Sequence, residues 1–157
     1  MVRILIVGIG NPLRSDDGLG WHVARELLRE LARGLANDDI QVVATQQLTP
    51  EISDMASGAE LVLFIDAARS GNPGTLKCER ITPAAPASRH SHDLSPAGIL
   101  KLAQELYGRC PSAYILTVAG ESFATGDTLS ATATAAIPAL KAQIWDFIDG
   151  SAGKKIE

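Results

Sequence analysis

The sequence predicts an α/β protein, a three-layer αβα sandwich built on a mostly parallel, twisted sheet of five strands. Two observations carry this prediction. Short apolar runs rich in branched residues alternate along the chain with longer segments of helical periodicity, as in parallel strands joined by crossover helices. These runs are apolar throughout rather than at alternate positions, which is typical of strands buried on both faces.

Four of the apolar runs predict strands that are buried on both faces, as in a parallel sheet. They lie at residues 4–7, 40–44, 61–65 and 114–118. A fifth run, at 75–81, places apolar residues in imperfect alternation with Lys77, Glu79 and Arg80. Charged side chains at such spacing suit a strand at the edge of a sheet.

Helical patterns fill the segments between the strands. The first runs from about 18 to 33 with Val23, Ala24 and Leu27 on one face. Thr49-Pro50 and Ser95-Pro96 each place a capping hydroxyl before a proline, so helices are expected to begin there. The last helix is expected over 130–148, with a bend caused by Pro138.

Composition narrows the possible classes of protein. The 157 residues suit one domain, expected at 1–150 and followed by a flexible charged tail at 151–157. No apolar run approaches a membrane span, and a net charge of -4 with few clustered basic residues disfavours nucleic acid as a partner. Cys78 and Cys110 lie far apart in the sequence and form no Cys-x-x-Cys unit, so we expect them to be reduced thiols in a cytoplasmic compartment. We expect a cytoplasmic monomer.

Carboxylates follow two of the predicted strands. Ligands of open α/β sheets bind beyond the carboxyl ends of the strands, so these side chains are expected at one rim. A long loop at 81–93 then brings histidines to the start of the helix at 95. The candidates are Asp16 and Asp17 after the first strand, Asp66 after the third, and His90, His92 and Asp93 in the loop.

Several of these residues also permit other interpretations. Gly8-x-Gly10 between a strand and a helix resembles part of a dinucleotide fingerprint, but Leu13 occupies the position of its third glycine. Two adjacent aspartates would also repel a phosphate unless a metal intervened. One of the two is expected to cap the first helix instead. His22 is interpreted as an ordinary surface or core histidine.

Taken together, these segments resemble the hydrogenase maturation endopeptidase family, which has a phosphorylase-like or flavodoxin-like fold. The most specific segment is 8–20, which is similar to the family signature of Gly-x-Gly-Asn followed by two acidic residues, the second of them metal-contacting. This implies that role for Asp17. Phe64-Ile65-Asp66-Ala67 resembles the second acidic site and 91–95 the histidine segment, while 118–121 and 129–130 are similar to weaker signatures.

The resemblance implies an endopeptidase that removes the C-terminal extension from the large-subunit precursor of a nickel-iron hydrogenase. Nickel would be supplied by the substrate and sensed by Asp17, Asp66 and His92, with no organic cofactor. Two carboxylates and an imidazole leave open coordination positions, which suits such a divalent ion. These three side chains are the expected catalytic and metal-contacting residues. Asn11, Asp16, His90 and Asp93 are expected to contact the substrate.

Some choices stay open at this point. His92 is favoured over His90 because of its register with Asp93 and Ser95, and either the metal or a carboxylate could activate water. Gln46-Gln47 replaces a glycine-rich segment of many members, which suggests another branch and leaves the hydrogenase undetermined. Two rival functions are a flavodoxin-like module that binds a nucleotide or flavin, and a metal-dependent hydrolase of small molecules.

Overall fold

A computed structural model describes residues 2–33, 39–85 and 94–153 of the chain. Its centre is one five-stranded sheet with the strand order β2-β1-β3-β5-β4. Neighbouring strands are parallel except for β4, which pairs antiparallel with β5 at one edge. The strands are β1 (Val2–Ile9), β2 (Ile40–Thr45), β3 (Ala59–Ala68), β4 (Leu76–Ile81) and β5 (Ser112–Ala119).

Helices cover both faces of the sheet and make the two outer layers. They are α1 (Leu19–Arg33), α2 (Pro50–Ser57), α3 (Pro96–Tyr107) and α4 (Ala131–Gly153), and a short 3-10 turn, Ser15–Gly18, precedes α1. Helices α1 and α4 pack on one face, and α2 and α3 pack on the other. The predicted αβα sandwich with a mostly parallel sheet is confirmed.

The apolar strands explain the two separate cores. In β1, Ile4 and Ile6 pack towards α1 and α4, whereas Leu5 and Val7 pack towards α2 and α3. Successive side chains of a strand point to opposite faces, so a strand covered on both faces must be apolar at every position. All four side chains are fully buried. This burial anchors β1 inside the sheet. In contrast, β2, which was expected to be buried on both faces, lies at an edge of the sheet and is only partly buried.

The predicted helix starts at Pro50 and Pro96 are confirmed. Ser95 caps α3 by accepting a hydrogen bond from the Gly98 amide at 3.0 Å, whereas Thr49 makes no side-chain cap on α2. Helix α4 continues through Pro138 as far as Gly153, beyond the predicted end at 148 and into the segment expected as a tail. Across the described ranges, no helix combines the length and apolar character that crossing a membrane requires.

Strand β3 is longer than its apolar run suggests. It continues to Ala68 because its ladder with β5 runs on through the pairs Asp66 with Thr117 and Ala68 with Ala119. Asp66 therefore lies among the last residue pairs of the ladder, within the strand and not after it as predicted. Its backbone is held on the sheet, which gives the carboxylate a rigid base.

Candidate active site

Close packing of glycines shapes the turn that follows β1. A side chain on Gly20 would collide with the Ile65 carbonyl of β3, and Gly10 adopts a φ of +148° in which a side chain would collide with the Asp17 carbonyl. Glycine alone tolerates both situations without strain. The start of α1 can therefore approach the ends of β1 and β3, and it carries Asp17 to that edge of the sheet.

Asp17 is held by two contacts of different kinds. Its Oδ2 accepts a hydrogen bond from the Asn11 amide at 3.0 Å. Its Oδ1 lies 3.4 Å from a guanidinium nitrogen of Arg69, the residue that follows β3. The side chain keeps 23% of its surface exposed. One carboxylate oxygen is thus fixed by the backbone, and the other faces an exposed cation.

Asp66 lies at the adjacent strand end in a more buried setting. Its Oδ1 accepts a hydrogen bond from the Ala67 amide at 2.8 Å. Burial raises the pKa of Asp66 to about 7, because the charged form loses solvation; the Ala67 amide opposes the rise, the charge of Asp17 adds to it, and Arg69 opposes it. The Asp66 carboxyl can therefore exchange a proton near neutral pH.

Both carboxylates line one open cleft beyond the carboxyl ends of the strands. Its volume is about 490 Å³. This is the location at which ligands of open α/β sheets bind. The lining residues are Ile9, Arg14, Asp17, Gln46, Gln47, Leu48, Asp66, Arg69, Leu94 and Pro96. The structure therefore brings together Asp17 and Asp66, which come from separate segments of the sequence.

Asp16 has a different place from the one expected. It is 0% exposed, and its two oxygens accept four hydrogen bonds, from the amides of Glu121, Ser122 and Ser130 and from the Ser130 hydroxyl. Burial by itself would raise the pKa of Asp16, but these hydrogen bonds outweigh it and hold the pKa below its ordinary value. Asp16 has no exposed atom with which to touch a substrate, so we assign it a structural role.

Neither aspartate caps α1, although one of the two was expected to do so. Asp16 ties down the segment that leads into α4, and Asp17 binds back to Asn11. The short 3-10 turn before α1 has Arg14 at its N-cap without a side-chain cap. Both aspartates therefore bond to residues outside the helix that follows them.

The turn after β1 uses its amides internally. Each amide from Gly10 to Asp17 donates to a protein acceptor, apart from Pro12, which has none to donate. A phosphate cradle needs several free amides converging on one point. This turn provides none among those residues, which argues against the nucleotide interpretation of Gly8-x-Gly10.

The remaining predicted residues fall into two groups. Asn11 lies at the turn, where its Oδ1 accepts from the Leu13 amide at 2.9 Å while its own amide holds Asp17. His90, His92 and Asp93 lie outside the described residues. Within 2–33, 39–85 and 94–153, no three His, Cys, Asp or Glu side chains are grouped so that they could hold a metal. His22 is not among the residues that line the cleft.

Arg69, which lines the cleft, and Phe123, which Arg69 contacts, were not expected from the sequence. Arg69 pairs with Asp17 and also stacks on the ring of Phe123, with 4.6 Å between the guanidinium carbon and the ring centroid. Neither residue belongs to a local pattern that sequence reasoning recognises. The available signal was that Arg69 follows an apolar strand by one position and shares the strand end with Asp66.

Comparisons with known proteins bear on this fold. No protein-family model matches the sequence. No curated protein matches it significantly either. Solved structures do match, at low sequence identity and over nearly the whole chain.

Several of these structures are described as maturation proteases or peptidases of hydrogenases, among them the following three. The [NiFe] hydrogenase maturation protease HycI from Thermococcus kodakarensis KOD1 is 23% identical, with a TM-score of 0.72 over 94% of this chain and 93% of that one. The hydrogenase maturating endopeptidase HybD from E. coli is 20% identical, with a TM-score of 0.71 over 96% and 94%. A hydrogenase 2 maturation peptidase from a Thaumarchaeota archaeon is 21% identical, with a TM-score of 0.65 over 93% and 97%. The chain has the fold of these proteins.

Proposed function

We propose that this chain is an endopeptidase that removes the C-terminal extension of a nickel-iron hydrogenase large-subunit precursor once nickel has been inserted. One observation carries the proposal. Asp17 and Asp66, the two acidic positions of the family signature, line a single cleft in a fold shared with hydrogenase maturation proteases. The proposal places the protein in the cytoplasm as a monomer without an organic cofactor.

The chemistry of the two carboxylates fits recognition of a divalent ion carried by the substrate. One oxygen of each accepts a hydrogen bond from a backbone amide, that of Asn11 for Asp17 and that of Ala67 for Asp66. The second oxygen of each is not held by a backbone amide. That of Asp17 lies beside the exposed guanidinium of Arg69, which a cation entering the cleft would have to displace. With the imidazole of His92 as a third ligand, coordination positions stay open for ligands that belong to the precursor.

The cleft also suits an extended peptide. Gln46 and Gln47 line it and supply amide donors and acceptors, while Ile9, Leu48 and Leu94 supply apolar surface. A peptide backbone needs both kinds of contact, because its own amides and carbonyls must be paired when they leave water. We propose that the C-terminal extension lies along this surface with its scissile bond near Asp17 and Asp66.

Of the two carboxylates, Asp66 is the better proton acceptor for an attacking water. A general base works best when its pKa lies near the working pH, and burial raises the pKa of Asp66 to about 7. A nearby divalent charge favours the ionised form of a carboxyl. Arrival of the metal-bearing substrate would therefore place Asp66 in the form that accepts a proton.

Processing of a defined precursor tests the proposal. The protein is incubated with a large-subunit precursor prepared with nickel and, in parallel, with one prepared without it, and the mass of each subunit is measured. We expect loss of a short C-terminal peptide from the nickel-loaded form alone. No cleavage of either form would refute the peptidase assignment, and equal cleavage of both would refute metal sensing. Metal analysis of the purified protein should show no stoichiometric ion.

A further inference from the structure

Arg69 is the cation that neutralises Asp17 in the described part of the cleft. Its guanidinium lies 3.4 Å from Asp17 Oδ1. The second oxygen of Asp17 is already bonded to the Asn11 amide at 3.0 Å. The Arg69 contact therefore falls on the oxygen that a metal ion would have to use.

A guanidinium and a divalent cation compete for such an oxygen. Both are positive, so at a separation of a few ångströms they repel one another even when water screens them partly. If a divalent metal ion reached Asp17 Oδ1 while Arg69 stayed in place, the two charges of the ion and the single charge of the guanidinium would lie around one carboxylate oxygen, near Asp66. The arrangement favours either the metal or Arg69 at this position.

The structure makes Arg69 easy to displace. Its side chain is 61% exposed, and an ion pair of this length at a surface contributes little stability. The ring of Phe123 lies beneath the guanidinium with 4.6 Å to the ring centroid, so the cation retains a favourable contact when it leaves Asp17. Displacement thus exchanges a weak contact for a metal bond.

We propose that Arg69 is a resident counter-ion of Asp17, which must turn aside when a metal-bearing substrate docks and which thereby raises the metal affinity that the substrate must supply. This inference rests on the proposed function and deepens it. It makes Arg69 a specificity-determining residue. Free ions at low concentration would be excluded from the cleft, whereas an ion presented on a docked protein would displace the guanidinium.

Direct metal binding to the full chain tests this role. The metal-free protein is titrated with Ni²⁺, and separately with Zn²⁺, by calorimetry at low ionic strength. Arg69→Gln should bind either ion at least about threefold more tightly than the wild type, because one positive charge beside Asp17 is gone. Arg69→Lys should stay within about twofold of the wild type, since it retains the charge. The gain in Arg69→Gln should shrink as salt is added.

Arg25→Gln is the matched control. Arg25 also stacks on an aromatic ring, that of Trp21 at 5.2 Å, but it lies on α1 and is not among the residues that line the cleft. The control removes the same charge and the same type of contact, so its metal affinity should equal that of the wild type. An equal gain in this variant would assign the effect to net charge alone and overturn the proposal.

Further outcomes are decisive in the same way. Unchanged or weaker metal binding by Arg69→Gln would show that Arg69 does not compete with the ion, and a gain in Arg69→Lys as large as in Arg69→Gln would show that charge is not the cause. Either result overturns the proposal even if the nickel-loaded precursor is cleaved. A gain confined to Arg69→Gln supports the counter-ion role even if the precursor is not cleaved, in which case the proposed function alone has failed.

Discussion

Asp16 and Ser130 are joined through both oxygens of the carboxylate. The Ser130 amide donates to Oδ1 at 2.8 Å and the Ser130 hydroxyl donates to Oδ2 at 2.7 Å, across 114 residues of sequence. The same hydroxyl accepts from the Ala133 amide at 3.1 Å and so caps the start of α4. One buried aspartate therefore connects the turn after β1 to the last helix.

Asp16→Asn should lower the free energy of unfolding by about 1–3 kcal/mol, because the new amide group points hydrogens at buried donors. Urea unfolding measures this loss. Asp54→Asn is the matched control, since Asp54 is exposed on α2, and it should change stability by less than about 0.5 kcal/mol. Wild-type stability in Asp16→Asn, combined with lost processing, would instead restore the substrate contact first expected for Asp16.

Asp17→Asn should leave stability nearly unchanged and reduce cleavage. The Asn11 amide can still donate to an amide oxygen at this position, so stability should stay within about 1 kcal/mol of the wild type. Cleavage of the nickel-loaded precursor should fall by about 100-fold or more, because a neutral amide is a poor ligand for a divalent ion. The mass assay measures cleavage, and full processing by this variant would count against the assignment.

Asp66→Asn should change how stability depends on pH. Folding raises the pKa of Asp66 from 3.8 to about 7, so the stability that its bound proton contributes is complete below about pH 4 and is lost as the pH rises through 7. Asparagine cannot ionise. From pH 4 to pH 8 the variant should therefore gain stability relative to the wild type, by at most about 4 kcal/mol. Urea unfolding of both proteins across this range measures the difference, and parallel profiles would contradict the buried setting of Asp66.

Alanine variants distinguish the roles of the two loop histidines, His90 and His92. His92→Ala should abolish processing of the nickel-loaded precursor, whereas His90→Ala should retain most of it. This expectation comes from the register of His92 with Asp93 and Ser95 in the family resemblance. Mass analysis of the precursor after incubation with each variant decides the matter. Greater damage from His90→Ala would transfer the role to His90.

Gly20→Ala tests the close approach of α1 to the sheet. Its new methyl group would collide with the carbonyl oxygen of Ile65, so we expect a loss of about 3 kcal/mol or more in the free energy of unfolding. Gly150→Ala provides the control, because a methyl group there meets no atom within 4 Å and lies in helix α4. It should be neutral or slightly stabilising, and equal losses in both variants would mean that packing at Gly20 is not the cause.

The sequence predicted the elements of the fold well because their signals are local. The five strands and four helices lie close to the positions that apolar runs, prolines and capping residues indicate. It also predicted that Asp17 and Asp66 share a cleft, since strand ends of a parallel sheet meet at one edge. These inferences need only periodicity and topology.

The division of labour between Asp16 and Asp17 could not be predicted in the same way. The two are adjacent, and what separates them is a set of partners more than 100 residues away, at Glu121, Ser122 and Ser130. The segments 118–121 and 129–130 resembled weak family signatures without any stated role. Arg69 was missed for a related reason, because its importance depends on contacts with Asp17 and Phe123 and not on a spacing in the chain.

The bond between Asp16 and Ser130 also bears on the order in which the cleft can be completed during synthesis. A ribosome adds Asp17 and Asp66 early, but the turn that carries Asp17 lacks its anchor until residue 130 has emerged and folded back. In the growing chain, Asp17 and Asp66 are therefore not yet held together at the cleft. On the proposed function, cleavage of the precursor would therefore begin only after the last helix has folded.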